Sequence, residues 1–184
     1  MMDIEPKPFF LIAVPQLGDP NFFHSVVLVL NHNAAGAMGI VLNNTIEMNL
    51  GKFSQSEGID CHEDLFATPL FKGGPVEPYR GWILHKDDTI KEAKEILSGI
   101  FLSGSSEVLR ILLEKGSTPL RLLLGCAGWA PGQLEQEMAQ GAWIPVPVKP
   151  QFIFETEPAQ TWEAVLNDMG VDPTQLSVVG KGVH

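Results

Sequence analysis

Apolar positions fall first into short unbroken runs and later into helical stripes. Phe9-Phe10-Leu11-Ile12-Ala13-Val14 is continuous and stops at Pro15 and the turn Gly18-Asp19-Pro20, so it predicts a buried strand. Residues 25–31 are rich in Val and Leu and predict a second strand. Asn33-Ala34-Ala35-Gly36 has turn composition, and residues 38–43 form a run of similar length, which together predict a hairpin. Residues 44–69 carry little periodicity beyond a short helix over 50–56 and a polar loop after it. Leu70-Phe71-Lys72 and Gly81-Trp82-Ile83-Leu84-His85 predict two more strands on either side of Gly73-Gly74-Pro75. Residues 95–103 read either as a strand or as the end of a helix opened by the box Thr89-Ile90-Lys91-Glu92.

Val108, Ile111 and Leu112 make a helical stripe closed by Gly116. A strand over 120–126, a helix over 133–140 ended by Gly141, and short strands over 144–148 and 151–154 follow. Pro158 suits the first turn of a last helix, whose stripe is Trp162, Val165, Leu166 and Met169, with Gly170 as its stop. Early hairpin-like pairs and later helices predict an α+β fold with an irregular, largely antiparallel or mixed sheet flanked by helices. Neither a repeat nor a linker divides the chain, so one domain over 1–184 is expected.

Composition narrows the class. The 184 residues are 45% hydrophobic and 18% charged, against roughly 25% charged in ordinary soluble domains, so the chain can build a core. The purest apolar run, six residues, falls far short of the roughly 18 a membrane-spanning helix needs. The acidic start lacks the pattern of a secretory signal, and two cysteines fit a reducing cytosol, so a cytoplasmic protein is expected. Net charge is −10; residues 8–51 hold no Lys or Arg, and residues 122–184 hold only Lys149 and Lys181 against seven acids. Such a chain has no basic run to track a phosphate backbone.

The chemical motifs are sparse. His24, His32, His62, His85 and His184 form no metal motif, and Cys61-His62-Glu63-Asp64 reads as a solvated loop rather than a ligand set, so neither metal nor cofactor is expected. There is no G-x-S-x-G elbow; Ser103-Gly104-Ser105-Ser106 reads as the entry to the next helix. Cys126 ends an apolar strand, where a thiol is usually a small buried hydrophobe; its alternative is a nucleophile activated by His32 or His85. Residues 125–135, a glycine-studded turn between strand and helix, match neither a dinucleotide fingerprint nor a P-loop, and Glu135 and Glu137 would repel phosphate. Trp129 is expected to anchor that turn.

Four ordered blocks resemble the bacterial YqgE/AlgH family. They are Asn31-His32-Asn33 with Gly36-Ala37-Met38-Gly39-Ile40-Val41-Leu42-Asn43; Gly73-Gly74-Pro75-Val76; Gly81-Trp82-Ile83-Leu84-His85; and Gly128-Trp129 with Gly132-Gln133-Leu134-Glu135-Gln136-Glu137 and Trp143. The opening Leu11-Ile12-Ala13-Val14-Pro15 with Asp19-Pro20-Asn21-Phe22 also fits. The resemblance implies a compact α/β fold with a bifurcated, partly barrel-like sheet. It also brings a label of transcriptional regulator, from an association with alginate control, and no catalytic residues. The chain departs from the family at Asn44-Thr45, where a basic residue and proline are usual.

Three functions follow as expectations. The first is a cytosolic, non-enzymatic regulatory or adaptor protein with a protein or small-ligand partner. The second is an enzyme, and the third a direct DNA-binding regulator, which the charge disfavours. Neither nucleic acid nor membrane is expected as a partner. The candidate cleft gathers His32, Asn43, Gly73, Gly74, His85, Gly128, Trp129 and Glu135, polar groups and glycine turns at strand ends.

Overall fold

The computed structural model describes residues 7–15 and 17–179; His184 and Lys181 lie outside them. The chain is mixed α+β and forms two compact units, one of residues up to Asn44 and from Ala127 onward, the other Thr45–Cys126.

In the first unit, β1 (Phe9–Ala13) pairs antiparallel with both β2 (Val26–Asn33) and β10 (Trp143–Pro147). β2 turns through Ala34-Ala35 into β3 (Gly36–Val41), the expected hairpin, with a bulge between Val29 and Asn31. β3 then pairs with the last residues of β9 (Leu120–Trp129). Leu11, Ala13, Val27, Val29 and Val41 alternate onto one face and pack with Trp129, Trp143 and Leu134 of helix α3 (Gln133–Ala139). Gly36, at φ +129°, is required here: a Cβ would stand 2.3 Å from the Trp129 carbonyl.

In the second unit, the start of β9 lies between β5 (Pro69–Lys72), parallel to it, and β6 (Val76–His85), antiparallel to it. β4 (Thr45–Asn49) pairs with β5, and β6 with β8 (Ile100–Ser103). Helices α1 (Leu50–Glu57) and α2 (Ser106–Lys115) cover an apolar cluster of Leu50, Leu70, Ile83, Leu112, Leu113, Leu120 and Leu122. Both helices are capped as their sequences dictate. Asn49 accepts from Lys52 N–H and Ser105 from Val108 N–H, while Gly58 and Gly116 end them in the left-handed region.

Three expectations need correction, and the open choice over residues 95–103 falls to the strand reading. Residues 151–154 form a short helix, α4 (Gln151–Phe154), not a strand: Pro150 already holds helical φ and ψ, and Phe152, Ile153 and Phe154 are all buried. No helix opens at Thr89; its hydroxyl donates to Asp87, and residues 95–103 belong to the hairpin of β7 (Lys94–Leu97) and β8, turning at Gly99. The buried stripe of α2 is Val108, Leu109, Leu112 and Leu113, which leaves Ile111 exposed. Helix α5 (Thr161–Asp168) buries Trp162, Val165 and Leu166 as expected, but Met169 is past its end and exposed. A further helix, α6 (Pro173–Val179), follows.

Candidate functional site

Strand pairing brings part of the candidate cleft together in the first unit. Ala37 of β3 is paired with His32 on one side and Trp129 on the other, so the three form one row across the sheet. Gly128 is next in β9, opposite Met38. Beyond Trp129 the chain turns at Gly132, in the left-handed region, and α3 carries Glu135 back to His32: His32 Nε2 and Glu135 Oε1 are 2.6 Å apart. The imidazole also meets Phe9 edge-on. A backbone N–H and the His32 contact hold the Glu135 carboxyl below the usual carboxylate range. Chemically the pair is a carboxylate-oriented imidazole, the arrangement that fixes a histidine's tautomer.

Glu137, one helical half-turn on, has a structural task. Its Oε2 accepts from both Trp129 Nε1 and Trp143 Nε1 at 2.9 Å, and its Oε1 accepts from Gln133 Nε2. The two indoles meet edge-to-face with Phe22 beside them. Trp129 is thus the anchor of the turn.

The other candidates belong to other elements. Asn43 lies past the opposite end of β3, six residues from the Ala37 row, or roughly 20 Å along a strand. Both ends of its amide are used: Oδ1 accepts from Val26 N–H and Nδ2 donates to the His24 carbonyl. Gly73, Gly74 and His85 belong to the second unit. Gly73 N–H donates to the Leu124 carbonyl, and the Gly74 carbonyl lies where a Cβ on Gly125 would be, at 2.4 Å. The glycines let two backbones pass closely. His85 is fully buried, stacked on Phe101, with Nδ1 accepting from Asp87 N–H. Burial pushes its pKa down, against the pull of Asp87. Burial likewise raises the Cys126 thiol, the reverse of what a nucleophile needs.

One feature escaped the sequence reading. Beside α1 the second unit has an open groove of about 620 Å³ lined by Asn49, Gly51, Ser54, Gln55, Ile59, Asp60, Cys61, Phe66 and Ala67. Gly51 N–H donates to the Phe66 carbonyl, and a Cβ on Gly51 would stand 3.1 Å from that oxygen, so the glycine lets the loop close onto the helix. The Phe66 side of this loop faces outward, leaving that residue 49% exposed. The Ser54 hydroxyl is buried and has no hydrogen-bond partner among the described residues. The available signal was a Phe within a stretch, residues 53–71, that holds four acids and no Lys or Arg.

Among the described residues no three His, Cys, Asp or Glu side chains are placed to hold a metal, and no helix is long and apolar enough to cross a membrane.

Known proteins share this fold and much of this sequence. A protein of Myxococcus xanthus called a UPF0301 protein is 41% identical over 96% of this chain and 97% of its own length. A UPF0301 protein of Sphingopyxis alaskensis is 39% identical over 97% and 98%. The solution structure of the AlgH protein from Pseudomonas aeruginosa superposes with a TM-score of 0.74 at 31% identity, covering 96% of this chain and 95% of that one. A crystal structure from Corynebacterium diphtheriae, at 23% identity and TM-score 0.69, shares the fold over 91% and 90%. With residues 10–174 matching the family as a whole, the chain belongs to the AlgH-like family, DUF179.

Proposed function

We propose that the protein is a non-enzymatic regulatory adaptor that works by holding a partner in the groove beside α1. The carrying observation is Phe66, a large apolar residue half in water at a groove roomy enough for side chains of another molecule. Supporting it, the polar groups first suspected of chemistry are spent on structure: Asn43 ties two backbones, His85 is buried, and Cys126 is held as a thiol. Cys61 and Cys126 are unpaired, in keeping with action in the reducing cytoplasm. Any effect on transcription passes through the partner, since the chain's charge of −10 opposes contact with DNA.

The test is affinity capture from a lysate of the source cells by the wild-type protein and by Phe66→Asp, with mass spectrometry of what is retained. The adaptor reading expects a stoichiometric partner on the wild type that the variant loses. Equal capture by both proteins, or none by either, contradicts it.

A second reading has one observation in its favour, the 2.6 Å contact between His32 and Glu135. Such an imidazole could act as a general base. A screen of ester, phosphoester and amide substrates that finds turnover abolished by His32→Ala would favour this reading over the adaptor.

A further inference from the structure

We infer that the groove beside α1 receives an arginine-bearing segment of a partner protein. The inference rests on the adaptor reading and names the chemistry of its partner. Three properties of the groove point to that occupant. The first is its charge: Asp60 lines it, Glu63 and Asp64 are exposed on the loop that follows Asp60, and no Lys or Arg stands between Lys52 and Lys72. A second copy of this acidic chain would be repelled there, and an anionic polymer more so.

The second is the apolar surface. Phe66, Ile59 and Ala67 offer surface against which a long aliphatic stem can lie, and guanidinium is the cation that both stacks on an aromatic ring and pairs with a carboxylate in a fixed fork. Lysine matches the charge but not the plane. The third is the Ser54 hydroxyl of the lining, buried and without a hydrogen-bond partner among the described residues. An unmatched buried hydroxyl calls for a donor or acceptor from outside, and a peptide backbone or a guanidinium supplies one.

The experiment titrates the whole protein with a fluorescein-labelled 12-residue peptide in which Arg and Leu alternate with Gly and Ser. Its citrulline counterpart keeps the shape and loses the charge, and a lysine counterpart keeps the charge and loses the fork. Anisotropy gives affinity, and amide chemical shifts give location. The expected result is binding by the Arg peptide about tenfold tighter than by either counterpart, weakened by salt. Shifts should concentrate at Gly51, Gln55, Ile59, Asp60 and Phe66. Phe66→Ala and Asp60→Asn should each weaken binding; both sites are exposed enough that the fold should survive, which the spectrum itself reports.

Equal affinity for Arg and citrulline peptides overturns the inference, as do shifts spread over other acidic faces or no binding at all. If those results come with a partner captured through Phe66, the adaptor reading stands and only the arginine assignment fails. If the Arg peptide binds the groove but capture finds no partner, the adaptor reading is the one that fails.

Discussion

At the scale of single residues, His85 shows how one buried ring sets a pH response. The folded protein disfavours the protonated imidazole, because burial lowers its pKa and Nδ1 accepts from Asp87 N–H, with Asp87 pulling the other way. The unfolded chain takes up a proton below roughly pH 6.5 more readily than the folded chain, so stability falls as pH drops from there through the lowered folded pKa. Urea midpoints measured from pH 7.5 to 5 should decline, and His85→Phe should flatten that decline even though it lowers the plateau by freeing Asp87 N–H. An unchanged slope in the variant would assign the decline to other groups. Asp87 acts in a lower window. Its burial would raise the carboxyl pKa, but hydrogen bonds from Lys115, Thr89 and Ser117 outweigh that and hold it well below the usual range, so its contribution is lost only as pH falls beneath about 4. Trp162 is the second residue to test. It is 4% exposed and its Nε1 donates to the Ala13 carbonyl. Trp162→Ala should cost about 3–5 kcal/mol, read as a shift of the denaturation midpoint, and an unmoved midpoint would detach α5 from the core.

At the scale of elements, the turn between β9 and α3 depends on one carboxylate. Glu137→Ala would leave two indole N–H groups without an acceptor and should cost about 1–3 kcal/mol, with a change in the near-UV signal of Trp129 and Trp143. A variant with wild-type stability and spectrum would show that the indoles find other acceptors. The elements also show what a sequence discloses. Strands such as β1 and β2 were legible because their apolar runs are long and end in turn residues, and α2 because Ser105 and Gly116 mark both its ends. Helix α4 was not legible. Its four residues are too few to display a period, and Phe152 to Phe154 are buried on every side, so only the geometry of Pro150 distinguishes it from a strand. The His32–Glu135 contact joins residues 103 apart in sequence; their types were readable, their meeting was not. The groove was still less visible, since it is made by a loop closing back on α1 through Gly51 and carries no motif.

At the scale of the whole molecule, charge decides which partners can approach. With 12 basic and 22 acidic residues and no basic face declared by the sequence, the protein should show no DNA or RNA binding near 0.15 M salt in an anisotropy titration. Sub-micromolar, salt-sensitive binding would restore the direct regulator. As proposed above, function resides in the groove beside α1 and not at the His32–Glu135 pair. The most direct measurement is the dissociation constant of the captured partner, by calorimetry, for the wild-type protein, Phe66→Asp and His32→Ala. Binding should be lost by Phe66→Asp and unchanged by His32→Ala; binding kept by Phe66→Asp and lost by His32→Ala would move function away from the groove.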